Sequence, residues 1–309
     1  MTTLLYTHSV CLEHEAGPHH PECPDRLRAI SQALEAEEFA FLDRREAPMG
    51  TVEQIARQHP QTLIESVFNA VPKGGYYHID GDTAMSPMSG EAALRAVGGI
   101  CEAVDEVVGG KARNAFCATR PPGHHAERFQ SMGFCLFNNV AIGAAHAYEV
   151  HGVEKVAIVD FDVHHGNGTQ DMAGKNAYMF YASSHQSPCY PGTGTEAETG
   201  LNGNVVNLEL APGSGSEAFR EGYENKILPK LRAFNPDLLM ISAGFDAHAR
   251  DPLAHLRLQT GDFEWVSREL LKVADECCEG KVVSTLEGGY DLPALAESVA
   301  VHVRVLMGN

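Results

Sequence analysis

Apolar residues in this chain gather into short continuous runs separated by longer amphipathic stretches. The runs are Leu4–Thr7, Asn114–Ala118, Lys155–Phe161, Ala177–Ala182, Asn204–Leu210, Asp237–Ser242 and Lys281–Leu286. Several are apolar almost throughout, the pattern of parallel strands covered on both faces. Helical patterns lie between them: from Pro24-Asp25 to about Glu37, then Ser89–Val108, Asn138–Val150, Ser216–Phe234, Asp262–Cys277 and Leu292–Met307. Ser89 reads as an N-cap, although Ala92 three residues on denies it a capping-box acid. Gly192–Asn202, with three glycines, three threonines and two glutamates, predicts a long loop. Strands alternating with helices predict an α/β chain built on a central, mostly parallel sheet with right-handed crossovers. No linker, low-complexity tract or repeat interrupts the sequence, so 1–309 is expected to form one domain.

Composition narrows the function classes. At 44% hydrophobic and 309 residues the chain can bury a large core. Its formal net charge of -18 argues against nucleic acid, whose phosphates demand many lysines and arginines. An acidic surface serves solubility first and can also draw in cationic substrates. Met1–His8 reads as a first strand rather than a signal peptide, and no apolar stretch is long enough for a bilayer. Cys11, Cys23, Cys101, Cys117, Cys135, Cys189, Cys277 and Cys278 form no CxxC pair. Reduced thiols and a cytoplasmic location are therefore expected.

Four predicted strands end in reactive residues, where ligands bind in an open parallel sheet. Asn114–Ala118 leads into Arg120-Pro121-Pro122-Gly123-His124-His125-Ala126, and Lys155–Phe161 into Asp162, His164 and His165. Asp237–Ser242 leads into Ala243-Gly244-Phe245-Asp246-Ala247-His248, and Lys281–Leu286 into Glu287-Gly288-Gly289-Tyr290. Asp160, Asp162 and His164, each two apart, can face one space. Asp162, His164 and Asp246 make an O/N/O set that leaves a coordination position open, as in catalytic zinc sites. Zinc lowers the pKa of water toward ~7 and polarises a carbonyl. The His124-His125 pair supplies a base, and Tyr290, after two glycines, a hydrogen-bond donor for a developing oxyanion. Together these describe hydrolysis of an amide or similar bond.

Arg-Pro-Pro-Gly-His-His-Ala at 120–126, Gly-Phe-Cys at 133–135, Asp-Phe-Asp-Val-His-His-Gly-Asn-Gly at 160–168, Pro-Gly-Thr-Gly at 191–194 and Leu-Glu-Gly-Gly-Tyr at 286–290 resemble the zinc-dependent histone deacetylase family. That family also holds acetylpolyamine amidohydrolases. The likeness runs from His20-Pro21-Glu22 to Tyr290, and Asn167 places it near the class II branch and its bacterial relatives. It implies the arginase–deacetylase fold, a single-domain three-layer α/β sandwich. It also implies one zinc per chain on Asp162, His164 and Asp246, with His125 as general base and later acid. His124 would assist electrostatically, held by Asp160, while Asn167 orients His125 and Tyr290 stabilises the tetrahedral intermediate. Gly133, Phe134 and Tyr190 would line an acyl-lysine tunnel, with Tyr190 standing where relatives often have Phe. Asp82 would sit at the rim, Arg26 behind the site, and a potassium ion beside Asp160, Asp162, His164 and Ser183.

The expected substrate is an acylated lysine peptide or protein, or a small acylated amine, with no nucleic acid or membrane partner; a homo-oligomer stays open. The alternative is an acetylpolyamine amidohydrolase, whose relatives place an acid seven residues beyond the second aspartate ligand. Here that position is Leu253, a neutral rim residue. A two-manganese ureohydrolase needs further bridging aspartates, where this chain has Ala247 and His248. A non-catalytic binding module is disfavoured by the intact histidines, ligand set and tyrosine. His8, His59, His146, His151, His255 and His302 are read as surface or packing residues, and His14, His19 and His20 as part of an entrance loop. His185 could pack or support the site, Trp265 reads as core, and Glu287 as structural support.

Overall fold

The computed structural model describes residues 2–309. Its centre is an eight-stranded sheet of β1 (Thr3–Thr7), β2 (Asp43–Glu46), β5 (Asn114–Cys117), β6 (Val156–Asp160), β7 (Met179–Gln186), β8 (Val205–Leu210), β9 (Leu238–Ala243) and β10 (Val282–Leu286). A separate antiparallel hairpin pairs β3 (Tyr77–His78) with β4 (Ala84–Met85). The main sheet runs β2-β1-β5-β10-β9-β6-β7-β8, and each of its pairings is parallel. The four strands with reactive ends, β5, β10, β9 and β6, are consecutive neighbours in this order. Sequence-distant motifs therefore meet along one sheet edge.

The helices are α1 (Asp25–Ala33), α2 (Val52–Ala56), α3 (Gln61–Ala70), α4 (Ser89–Val108), α5 (Asn139–His151), α6 (Asn167–Ala173), α7 (Ser216–Gly222), α8 (Leu228–Phe234), α9 (Thr260–Cys278) and α10 (Leu292–Leu306). They cover both faces of the sheet and make three layers. On β6, Ala157 and Val159 face a core shared with Ile30, Leu270 and Val299. Val156 and Ile158 face the other, shared with Val97, Ile100 and Val140. Each fully buried aliphatic side chain contributes about 1.5–3 kcal/mol, so a strand apolar on both sides is held from both. No described helix is long and apolar enough to cross a membrane. All eight cysteines are free.

Several elements depart from the hydrophobic pattern. Edge strand β2, Asp-Arg-Arg-Glu, pairs only with β1 and has no apolar face to betray it. Charged residues on an edge also discourage pairing with another chain. The Ser216–Phe234 pattern breaks into α7, a π-helical turn Tyr223–Ile227 and α8. Pro229 has no N–H to donate, and the ladder widens just before it. Strand β7 runs on through Ser183, Ser184, His185 and Gln186, all buried, where the apolar run had already stopped. Ser89 is the first residue of α4 rather than its cap. Its hydroxyl accepts from the Ser86 amide at 2.7 Å and bonds the His14 Nδ1 at 2.7 Å.

That contact opens a buried charge network. Glu22, Arg26 and Arg120 are fully buried, and His14 nearly so, rather than lying at an entrance. Arg120 grips Glu22 with Nη2 at 2.6 Å from Oε2 and with its Nε on Oε1. Arg26 Nη1 donates to Glu22 Oε1 at 3.1 Å, and Arg26 Nε to the Gly289 carbonyl at 2.7 Å. The network ties the first loop to the ends of β5 and β10. Burial alone would raise the Glu22 carboxyl, but Arg120 and His14 hold it well below its ordinary value. A depressed carboxyl stabilises above its unfolded pKa, and that contribution is lost as pH falls through the folded one. Glu22→Gln should thus cost about 3–5 kcal/mol at neutral pH, since it strands two buried cations. In denaturant titrations the gap to wild type should narrow below about pH 4; an equal gap at both pH values would contradict this.

Candidate active site

Carboxylates at the carboxyl ends of the central strands are held by backbone amides of their neighbours. Asp160 ends β6, fully buried, and its Oδ1 accepts from the Asp162 amide at 3.1 Å. Asp162 Oδ1 accepts from the His164 amide at 2.9 Å and Oδ2 from the Gly288 amide at 2.8 Å. Asp246 Oδ1 accepts from the Val163 amide at 2.8 Å. Gly288 cannot be replaced, because a Cβ there would run into the Asp246 and Asp162 carboxylates. Glu287, buried after β10, accepts from the amides of Gly123 at 2.7 Å and His124 at 3.1 Å. It also takes the Ser242 hydroxyl at 3.0 Å, and so ties the ends of β5, β9 and β10 together.

Asp162, His164 and Asp246 converge, with one ligand atom from each lying within 4.8 Å of the others. His164 Nδ1 is 3.2 Å from Asp162 Oδ1 and 3.1 Å from Asp246 Oδ2. Two facing carboxylates in a buried pocket repel. Burial, and then the Asp162 charge, push the Asp246 carboxyl up to about 7. A divalent cation relieves both costs, and the N/O donor set suits zinc. The residues therefore fit a metal.

The tandem histidines differ in what they face. His124 Nδ1 lies 3.0 Å from Asp160 Oδ2, and Tyr181 donates its hydroxyl to the same oxygen at 3.1 Å. Burial works against its charge, but Asp160 and Asp162 raise it to about 10. His125 Nδ1 sits 2.8 Å from Asn167 Oδ1, a neutral carbonyl. Burial, then the nearby His124 and His164, keep it well below its ordinary value. The Asn167 amide is oriented by donating from Nδ2 to Glu127 Oε1 at 2.7 Å. A carbonyl at Nδ1 fixes the proton there and leaves Nε2 with its lone pair.

These side chains open into a cavity of about 220 Å³ lined by Asp82, His125, Gly133, Phe134, His164, Tyr190, Leu253 and Tyr290. The rim and tunnel positions named from sequence thus share one space with His125 and His164. Gly133 has φ +57, and a Cβ there would come within 2.5 Å of the His125 ring. Phe134, at φ 69, faces Tyr290 edge-on with ring centroids 6.0 Å apart. Tyr190 meets the His125 ring at 5.1 Å and is 39% exposed, placing it between site and solvent. Asp82 reaches Phe134 through Thr83, whose hydroxyl donates to Asp82 Oδ1 at 2.9 Å and accepts from the Phe134 amide at 3.1 Å. The Arg26 guanidinium lies 5.0 Å over the Tyr290 ring, behind the cavity. Ser183 is the sheet neighbour of Asp160, but its hydroxyl bonds His185 Nδ1 at 2.9 Å.

Two residues given no specific role from sequence, the entrance-loop His20 and Asp251 of the Asp251-Pro252 pair after β9, support the site. His20 packs edge-on against Phe134 at 4.6 Å, with Nε2 3.0 Å from the Asp82 carbonyl. Asp251 Oδ2 accepts from the Tyr290 amide at 2.8 Å, and its Oδ1 from Leu253 at 3.0 Å, fixing the tyrosine to the Leu253 turn. The Asp-Pro pair at 251–252, part of the polar stretch after β9, is its signal in the sequence.

Comparison with known proteins identifies the family. The family described as histone deacetylase domain matches residues 20–306. Histone deacetylase 14, chloroplastic, of Arabidopsis thaliana is 38% identical, covering 99% of this chain and 77% of the relative. The histone deacetylase-like amidohydrolase of Pseudomonas aeruginosa is 35% identical, covering 93% of this chain and 81% of the relative. The crystal structure of the HDA15 HD domain superposes with a TM-score of 0.94 at 34% identity, covering 100% of this chain and 88% of that one.

Proposed function

The chain belongs to the histone deacetylase family and is a hydrolase of the deacetylase type; from that premise we propose that it removes acetyl or another short acyl group from an N-ε-acyl-lysine. The observation that carries this reading is the shared cavity. His125, His164 and Tyr290 line one space with Phe134 and Tyr190, and His164 links it to the buried Asp162 and Asp246 carboxylates at 3.2 and 3.1 Å. A lysine stem is unbranched and apolar, and two aromatic walls suit it. Asp162, His164 and Asp246 would hold the zinc on which this family depends. Asp160, Asp162, His164 and Ser183 would hold a structural potassium. The zinc, when bound, supplies a Lewis acid that activates water and polarises the acyl carbonyl.

The protein's own groups divide the remaining work. His125 takes the proton of the attacking water at Nε2, its Nδ1 held by the Asn167 carbonyl. His124, raised to about 10 beside Asp160, stays protonated and offers positive charge rather than a base. Tyr290 donates its hydroxyl to the acyl oxygen as negative charge gathers there. His125 then returns the proton to the departing amine. Leu253 leaves the rim neutral where an acid would favour a distal ammonium, which supports lysine over polyamine.

The reading is tested by turnover of zinc-loaded protein on an acetyl-lysine peptide beside N-acetylputrescine, with and without chelator. It expects chelator-sensitive hydrolysis that favours the peptide; a preference for the polyamine would overturn the substrate assignment. Tyr290→Phe should lower kcat about 10²–10³-fold with the fold intact, as loss of an oxyanion donor does. An unchanged kcat would remove the tyrosine from the mechanism. Asn167→Asp sets a carboxylate against His125 Nδ1, raises its pKa, and so moves the acidic limb of the kcat/KM profile to higher pH by about one unit or more. A limb that stays in place would show that His125 is not the titrating base.

A further inference from the structure

A second convergence of metal-ligating side chains lies away from the cavity, where α4 packs on α5. Asp105 of α4, with His146 and His151 of α5, bring one ligand atom each within 4.8 Å of one another. Both imidazoles aim Nε2 at the same carboxylate oxygen: His146 at 2.7 Å and His151 at 2.6 Å from Asp105 Oδ1. The sequence suggested separate surface or packing roles for these histidines, but the fold joins them.

Three observations point to a cation rather than to two plain hydrogen bonds. The first is the donor set. Two imidazoles and one carboxylate, from three positions, match the three-ligand N/N/O pattern that zinc accepts, with a coordination position left for water. The second is the state of His146. It is 5% exposed, and among the described residues its buried Nδ1 has no partner, while its Nε2 faces the Asp105 carboxylate at 2.7 Å. A cation would take the Nε2 lone pair in place of the proton now shared with that carboxylate. The third is placement. His151 is the last residue of α5, where the helix's unpaired carbonyls favour a positive charge. Arg57, the cation acting on His146, is already engaged by Glu149 at 3.3 Å. The Asp105 carboxylate is 43% exposed, so it can shift to admit an ion and is reached from solvent.

We propose that Asp105, His146 and His151 form a second divalent-cation site, selective for zinc-like ions, that clamps α4 to the carboxyl end of α5. The amino end of the same helix begins at Asn138, whose side-chain amide donates to the Ala126 carbonyl at 3.2 Å, just past the tandem histidines. A thirteen-residue helix is roughly 20 Å long, so the clamp braces the element without touching the cavity. The site is therefore structural, and turnover should not depend on it.

The test is zinc stoichiometry in tag-free protein dialysed against a buffered low-micromolar excess of Zn2+, by elemental analysis. Wild type should carry one equivalent more than His151→Ala and one more than Asp105→Asn, and deacylation should be equal in all three. Both substitutions are at solvent-reached positions, which keeps the fold in place. Added Zn2+ should also raise the Tm of wild type by more than that of either variant, because it binds only the folded clamp. Equal stoichiometry in wild type and both variants would overturn the proposal, as would an equal rise in Tm.

Discussion

The structure depends on keeping carboxylates out of water at the end of a parallel sheet. Asp160, Asp162, Asp246 and Glu287 are buried where β6, β9 and β10 stop. An isolated buried carboxylate costs many kcal/mol, so each must be met by donors. Here the donors are mostly backbone amides from nearby strand ends: Val163 for Asp246, Gly288 (across β9) for Asp162, Gly123 and His124 for Glu287. Each loop is thus shaped by the acid it serves. Strand order matters for the same reason, since β5, β10, β9 and β6 lie side by side and their ends are close enough to exchange these bonds.

Amides satisfy the outer lone pairs and leave the inner ones facing each other. Burial first, and then that residual repulsion, raise the Asp246 carboxyl, and a divalent cation relieves both. The carboxylates also polarise what lies around them. They lift His124, which touches Asp160, while burial, then His124 and His164, keep His125 low one residue later. Two adjacent histidines acquire opposite characters because carboxylates outweigh burial at His124, whereas burial and the neighbouring imidazoles prevail at His125. No step of this requires a difference in the histidines themselves.

Much of this was legible in the chain. Continuous apolar runs announced β5, β6, β9 and β10, and the polar residues just after each run gave the site. Asp162 and His164 follow from residue type and two-residue spacing, and Asp246 and the tandem histidines from their places just after strand ends. What the pattern hid was of another kind. Edge strand β2 has no buried face, so no apolar pattern marks it. Strand β7 continues through serines and a histidine whose burial is sustained by partners from distant segments, such as Gly194 for His185. Glu22 and His14 looked like loop residues because the arginine partner of Glu22, Arg120, and the serine partner of His14, Ser89, are 98 and 75 positions away. The convergence of Asp105 with His146 and His151 depends on how two helices cross, which no local window carries.

The claim that the buried strand-end acids are arranged around a cation is tested most directly by anomalous X-ray scattering at the zinc edge from crystals of the zinc-loaded protein. The account predicts a strong peak bounded by Asp162, His164 and Asp246, at coordination distance from each. Fully loaded crystals that show no peak at those three residues would contradict it.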